Sequence, residues 1–169
     1  MLSELLVLVV FPALLAVAAG WDLASYTVPN WLPAALVLTF LVFAAASAMP
    51  WAMFSYHVLA GALALAAGFA LFAFGVIGGG DAKLFAAIAL MVGLHDLAGY
   101  TLVAALFGGA LTVALLAMRQ YPLPQLLVGQ SWIVKLHDAA SGVPYGVALA
   151  AGAVALLPHA EIFRLAAGV

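Results

Sequence analysis

Long apolar stretches fill most of this chain, and charges, a Pro-Asn pair and glycine clusters interrupt them. The interruptions leave six apolar runs: Leu5–Trp21, Trp31–Phe54, Val58–Gly80, Leu84–Leu94, Leu97–Met118 and Val143–Leu157. The runs are continuously apolar and lack the alternation of membrane strands, so the pattern predicts helices and not a barrel. The expected fold is an all-α membrane protein, a polytopic bundle of six transmembrane helices in one domain spanning residues 1–169.

The fourth run is shorter than the others, with 11 residues. A helix needs about 20 residues to cross a hydrocarbon core about 30 Å thick, so this helix is expected to borrow residues from its flanks. Asp81 and Lys83 precede the run directly. They are therefore predicted to lie within the helix, at the membrane edge.

Composition supports a membrane protein and excludes several classes of binding site and chemistry. The chain is 69% hydrophobic and 6% charged, whereas a soluble domain carries roughly a quarter charged residues. A lipid bilayer is thus the expected surrounding, and the net charge of −2 offers no basic surface for nucleic acid. Without cysteine, thiolate chemistry and Cys-based zinc sites are excluded. The four histidines are scattered, at 57, 95, 137 and 159, so neither a metal site nor a cofactor is expected.

Positive charges predict the orientation of the bundle. With six spans, Lys83, Arg119 and Lys135 fall on one side and Arg164 falls on the other. Because Lys and Arg favour the cytoplasmic side, the first three are placed in the cytoplasm and both termini outside. The longest inner connection, 119–142, is expected to lie on the membrane surface and to be broken by Pro122 and Pro124.

Two aspartates are predicted to emerge at one membrane face. Asp22 ends the first run, Asp81 begins the fourth, and two complete spans separate them. Ionisable groups in a membrane helix are costly and point to function or pairing. A carboxylate and a carboxylic acid on either side of a water can hydrolyse a peptide bond. Alternatively, Asp22 merely ends one helix and Asp81 merely caps another.

The glycines before Asp81 favour the functional interpretation. A helix cap needs one flexible residue, whereas Gly78, Gly79 and Gly80 together allow backbone to approach closely. The helix dipoles suggest different roles for the two carboxyl groups. Asp22 lies at the negative end of the first helix and Asp81 at the positive end of the fourth, so we expect Asp81 to hold the charge and Asp22 the proton.

Three segments in this order resemble the type IV prepilin peptidase family: 22–30 (DLASYTVPN), 78–84 (GGGDAKL) and 143–150 (VPYGVALA). The second matches the GxGD signature of intramembrane aspartic proteases. The resemblance implies that Asp22 and Asp81 are catalytic. It also implies a site facing the cytoplasm of a bacterial inner membrane. The substrate would be a prepilin or pseudopilin precursor, whose basic leader is cut off just before an apolar helix.

The resemblance further suggests the short, peptidase-only form associated with Flp/Tad pili. Longer members carry an N-terminal methyltransferase region with paired CxxC motifs, and no cysteine is present here. N-methylation of the product is therefore not expected. The first motif also departs from the family, because Ala24, Tyr26 and Thr27 stand where basic residues are often found.

Further residues in or near these motifs are candidates for binding substrate or shaping the site: Gly78, Gly79, Gly80, Lys83, Asn30, Pro29 and Tyr145. Each also has a structural explanation. Asn30 is a suitable N-cap for the second helix. Lys83 lies about 200° around the helix from Asp81, which favours contact with lipid headgroups. Tyr145 can offer a hydroxyl to the site or mark the membrane interface.

Other interpretations remain open from the sequence. A relative of presenilin or signal peptide peptidase would also use GxGD, but its Pro-Ala-Leu motif follows that signature, whereas here Pro12-Ala13-Leu14 precedes it. A proton- or cation-coupled small transporter would use the same carboxylates, although only one glycine break is apparent. A structural subunit would tolerate Asn at Asp22 and Asp81. The sequence leaves the oligomeric state open.

Overall fold

The computed structural model describes residues 1–167, and this part of the chain is helical without any strand. Its α-helices are α1 (Leu2–Ser25), α2 (Trp31–Ala46), α3 (Trp51–Ala73), α4 (Gly79–Val92), α5 (Leu97–Arg119), α6 (Ser131–His137), α7 (Tyr145–Leu156) and α8 (Glu161–Ala167). Short 3₁₀ turns occupy Gln125–Leu127, Ala139–Ser141 and Leu157–His159. The all-helical class predicted from the sequence is thus confirmed.

Three of the described helices, α1, α3 and α5, are long and apolar enough to cross a membrane. A fourth span arises if α7, its 3₁₀ turn and α8 count as one segment bent by 50°. α2 has 16 residues and α4 has 14, so they extend about 24 Å and about 21 Å, less than the hydrocarbon core. The structure therefore supports three to four spans and does not confirm six.

The boundary between the second and third apolar runs was predicted wrongly. The helix expected to continue to Phe54 stops at Ala46, and α3 begins at Trp51. Ala48 adopts a left-handed conformation with φ +48°, and the N–H of Met49 donates to the Ala44 carbonyl at 2.9 Å, which closes α2. Because this turn is itself apolar, the hydropathy pattern shows no boundary there.

The fourth helix does extend into its polar flank, as predicted. α4 begins at Gly79 and includes Asp81 and Lys83 in its first turns. It ends at Val92, and the next residue, Gly93, has φ +85°. A Cβ at Gly93 would lie only 2.8 Å from Cε1 of the His57 ring. His57 is fully buried and its Nδ1 hydrogen-bonds to the Leu90 carbonyl at 2.8 Å. This histidine therefore fixes the end of α4 against α3.

The centre of the bundle consists of α1, α2, α4 and α7, with α3 packed on α4 and α5 packed on α7. α4 and α5 make few contacts with each other. A groove therefore separates the α3–α4 pair from the α5–α7 pair. Large apolar side chains fill the core between the central helices: Phe11, Leu15, Leu32, Leu36, Phe40, Phe43, Leu84 and Ile88.

The long connection between α5 and α7 folds back over the end of α1. It is not one helix, as its prolines predicted, but α6 between two 3₁₀ turns. Lys135 Nζ donates to the Ser25 carbonyl at 2.8 Å. Arg119 donates to the carbonyls of Leu136 at 3.0 Å and Gly142 at 2.7 Å. These bonds hold the connection beside the C-terminus of α1.

Replacing Gly152 with alanine is expected to separate α5 from α7. A Cβ at Gly152 would lie 2.8 Å from the Cα of Ala104, which is backbone and cannot move aside cheaply. We expect a loss of about 1–3 kcal/mol in stability, as for overpacked cores. Thermal unfolding in detergent measures it. Gly109→Ala is the control, because a Cβ there meets nothing within 4 Å, and equal melting temperatures for the two variants would contradict the packing.

Candidate active site

Asp22 lies in the last turn of α1, and its carboxyl group faces inward. The residue is 3% exposed, and Oδ2 accepts a hydrogen bond of 2.7 Å from the backbone N–H of Gly146. Gly146 is the second residue of α7, where N–H groups have no partner within their own helix. Asp22 thus joins the end of α1 to the beginning of α7.

This contact adds a second helix terminus to the electrostatics predicted for Asp22. The sequence placed its carboxyl group at the negative end of α1, but the structure also places it at the positive end of α7. Helix N-termini favour a negative charge. Asp22 and Asp81 therefore both lie at a helix N-terminus, and the helix dipoles alone no longer assign the charge to Asp81 and the proton to Asp22.

Asp81 is the third residue of α4, and its side chain turns back towards the start of that helix. Its Oδ2 lies against Gly78, where a Cβ would be only 3.1 Å away. The carboxyl group therefore lies at the N-terminus of α4, where a negative charge is favoured. Asp81 also lines an open cavity.

The structure brings the segments that carry the two aspartates together, because Gly146 binds Asp22 while its neighbour Tyr145 lines the same cavity as Asp81. The glycines before Asp81 make this possible. A Cβ at Gly80 would lie 3.2 Å from the backbone N and O of Val28, and one at Gly79 would lie 3.3 Å from the Phe72 ring. These glycines therefore approach the protein's own α1–α2 loop and α3. The contact with the α1–α2 loop brings the segment that contains Asp81 towards the segment that contains Asp22.

A second contact connects the two motifs. Lys83 Nζ donates to Asn30 Oδ1 at 2.8 Å. Asn30 does occupy the N-cap position of α2, but its side chain makes no capping hydrogen bond. The predicted capping role is therefore wrong for the side chain, and Lys83, although exposed, binds the other motif instead of extending freely towards headgroups.

The remaining candidates surround this site. Pro29 supplies the carbonyl that accepts the Leu32 N–H at 3.1 Å, which begins α2. Tyr145 packs its ring on Gly108, where a Cβ would lie 3.5 Å from Cε1. The Tyr145 side chain lines the same cavity as Asp81, while its neighbour Gly146 binds Asp22. The 143–150 segment therefore contacts both aspartate environments.

Gly146 was missed among the candidate residues, although it lies in the third motif. The signal was local: Pro144 precedes α7, so Gly146 occupies its first turn, where a free N–H is expected. A Cβ at this position would lie 2.9 Å from Asp22 Oδ2. Only glycine therefore lets the carboxyl group approach this backbone without displacement.

Basic groups near the first motif come from the long connection. Lys135 Nζ lies 5.1 Å from the centre of the Tyr26 ring, within cation–π range. Tyr26 itself has φ +60°, which ends α1. Burial raises the pKa of its hydroxyl, and the nearby Arg119 opposes that shift. Positive charge absent from positions 24, 26 and 27 is thus supplied from elsewhere in the chain.

The arrangement is suited to acid–base chemistry on water. Two carboxyl groups from different helices belong to neighbouring segments, one buried and one bordering a cavity. Within residues 1–167, no three His, Asp or Glu side chains come together as a candidate metal site. Such a pair of carboxyl groups can act without a metal, with one taking a proton and the other donating one.

Comparison with known proteins gives a consistent result. Residues 9–113 match the model of the type IV leader peptidase family, a range that includes both aspartates but ends before Gly146. The chain is 35% identical over 131 residues to the prepilin leader peptidase/N-methyltransferase of Bacillus subtilis (strain 168), which covers 72% of this chain and 50% of that protein. The chain thus spans about half the length of this relative. No solved structure matches the chain significantly.

Proposed function

The chain belongs to the type IV leader peptidase family, and we propose that it is an aspartic endopeptidase that removes the leader from type IV prepilins. The observation that carries the proposal is the convergence of the two aspartate segments: Asp22 accepts the Gly146 N–H, and the preceding residue, Tyr145, lines the cavity that Asp81 also lines. The similarity to a prepilin leader peptidase supports the same substrate class. The resemblance to short members further suggests an Flp-type precursor.

In the proposed mechanism, one aspartate is ionised and the other protonated. The carboxylate takes a proton from water as the water oxygen bonds to the peptide carbonyl carbon, and the carboxylic acid donates its proton to the carbonyl oxygen. When the C–N bond breaks, the proton held by the first carboxyl group passes to the leaving amine. One hydroxyl of the tetrahedral intermediate returns its proton to the second carboxylate as the new C=O forms, which restores the starting pair. The products are a leader carboxylate and a free amino terminus on the mature pilin.

We also propose six spans, with the site at the cytoplasmic face of the bacterial inner membrane. Positive residues support this orientation, because such residues favour the cytoplasmic side. Lys83, Arg119 and Lys135 lie near the two aspartates, either along the sequence or through the hydrogen bonds that they donate. In this arrangement α2 and α4, although short, cross together with the longer helices. The leader would then meet the site from the cytoplasm before its apolar helix is released into the bilayer.

Orientation is testable because the chain contains no cysteine. Ser131→Cys lies in the exposed connection and His95→Cys in the opposite turn between α4 and α5. With a membrane-impermeant maleimide, we expect spheroplasts to label the second variant, and the first only after lysis. Labelling of the Ser131→Cys variant in intact spheroplasts would contradict the cytoplasmic site.

The proposed activity is tested by co-expression with Flp-type prepilins in cells lacking other prepilin peptidases. We expect the precursor to shorten on gels, with a mass that corresponds to hydrolysis at the leader junction, and to stay full-length in cells without this chain. Absence of cleavage with several inserted, stable prepilins would contradict the proposal. Proton flux measured in proteoliposomes would then examine the alternative of a proton- or cation-coupled small transporter.

A further inference from the structure

The groove between the α3–α4 pair and the α5–α7 pair begins at the proposed site. It has a volume of 520 Å³, and Asp81 and Tyr145 line it together with Phe85 and Gly109. Along α5 it extends from Thr101 to Val113, a distance of about 18 Å at 1.5 Å per residue. Because the Asp81 carboxyl group lies at one end of this long groove, a molecule bound along the groove passes the proposed catalytic site.

The lining of the groove excludes a polar occupant. Its walls are mainly apolar, and both threonine hydroxyls are already bonded within α5. Thr101 donates to the Leu97 carbonyl at 2.8 Å, and Thr112 donates to the Gly108 carbonyl at 2.7 Å. Apart from Asp81 and Tyr145, the groove therefore offers little hydrogen bonding to a guest. An apolar segment next to the cleaved bond fits it.

The size of the groove defines how much of that segment it can hold. A helix 18 Å long and roughly 10 Å wide occupies on the order of 1,400 Å³. The groove volume of 520 Å³ is about a third of this. It can therefore accept the side chains on one face of a helix, while the rest of that helix remains in the lipid.

Resting on the proposed function, we infer that this groove binds the first apolar side chains after the scissile bond of the precursor, and that Gly109 sets the size it accepts. Gly109 lines the groove, and a Cβ there meets nothing within 4 Å. A larger side chain at this position fills the groove without disturbing the bundle. The site thus selects precursors by the bulk of the helix that follows the cut.

The test compares Gly109→Leu with Gly20→Leu in liposomes. Gly20 is also helical, exposed and free of contacts at its Cβ, but it does not line the groove. Each variant receives an Flp-type prepilin that the parent chain cleaves, and a version with alanine at the first three apolar positions after the cut. Gly109→Leu is expected to slow cleavage of the natural precursor at least tenfold and of the alanine version less than threefold. Gly20→Leu should change both less than twofold.

Equal slowing of both precursors by Gly109→Leu, or no slowing of either, would overturn the inference while the activity of the parent stands. Failure of the parent to cleave any prepilin would instead overturn the proposed function. A photoreactive p-benzoylphenylalanine at Val113, in the Asp81→Asn background, gives an independent readout by mass. We expect it to capture the uncut precursor, and capture of lipid alone would also overturn the assignment.

Discussion

Asp22→Asn and Asp81→Asn are each expected to lower the rate of prepilin cleavage by at least about 10³-fold, while the protein still folds and inserts. Asparagine can neither take a proton from water nor donate one as a carboxylic acid does. At position 22 its carbonyl oxygen can still accept the Gly146 N–H, which Asp22 accepts at 2.7 Å. The measurement is the initial rate in liposomes, with the melting temperature determined in parallel.

Asp138→Asn provides the matched control for these variants. Asp138 is exposed in the connection, where its Oδ1 accepts the Ala140 N–H at 2.9 Å. Asparagine retains that contact, so we expect the cleavage rate to stay within twofold of the parent. A rate above one tenth of the parent for Asp22→Asn or Asp81→Asn would show that this aspartate does not take part in the reaction.

Gly146→Ala is expected to lower the rate by about 10²-fold, because a displacement of about 1 Å in a reacting group has this effect. The new Cβ would lie 2.9 Å from Oδ2 and 3.0 Å from Cβ of Asp22. The carboxyl group must then move from the α7 N-terminus and from its relation to Asp81. The rate constant at saturating prepilin is the quantity to measure, since the substitution changes orientation at the site.

Gly20→Ala is the control for that substitution, because Gly20 belongs to the same helix as Asp22 and a Cβ there meets nothing within 4 Å. Its rate should remain within twofold of the parent. Both variants should bind the precursor with similar affinity. If Gly146→Ala cleaves at the rate of Gly20→Ala, the hydrogen bond between Asp22 and α7 is unimportant for the reaction.

The sequence was sufficient to select the two aspartates as candidates, because charged residues are rare in it and the number of spans between them predicts that both lie at one membrane face. It also predicted that Asp81 lies inside a helix, since the apolar run that follows Asp81 is too short to cross a membrane by itself. The three glycines indicated a close approach, and the structure identifies Val28 and Phe72 as the partners of two of them.

Other features depended on tertiary contacts that periodicity does not contain. Gly146 reaches Asp22 across 124 positions of sequence, so no local pattern relates them. The assignment of the charge to Asp81 and the proton to Asp22 therefore stays a prediction that the helix dipoles alone do not decide. The Lys83–Asn30 hydrogen bond is equally remote. The end of α2 was missed for a different reason: an apolar turn at Ala48 leaves hydropathy unchanged while backbone conformation changes.

The pH dependence of cleavage by the unmodified chain tests the central claim, that Asp22 and Asp81 act together as an acid and a base. Liposomes are equilibrated at each pH, and single-turnover rates are followed with one prepilin. We predict a profile with two limbs, because the reaction requires one carboxyl group ionised and its neighbour protonated. A rate that rises through one ionisation and then stays constant at higher pH would contradict the paired mechanism.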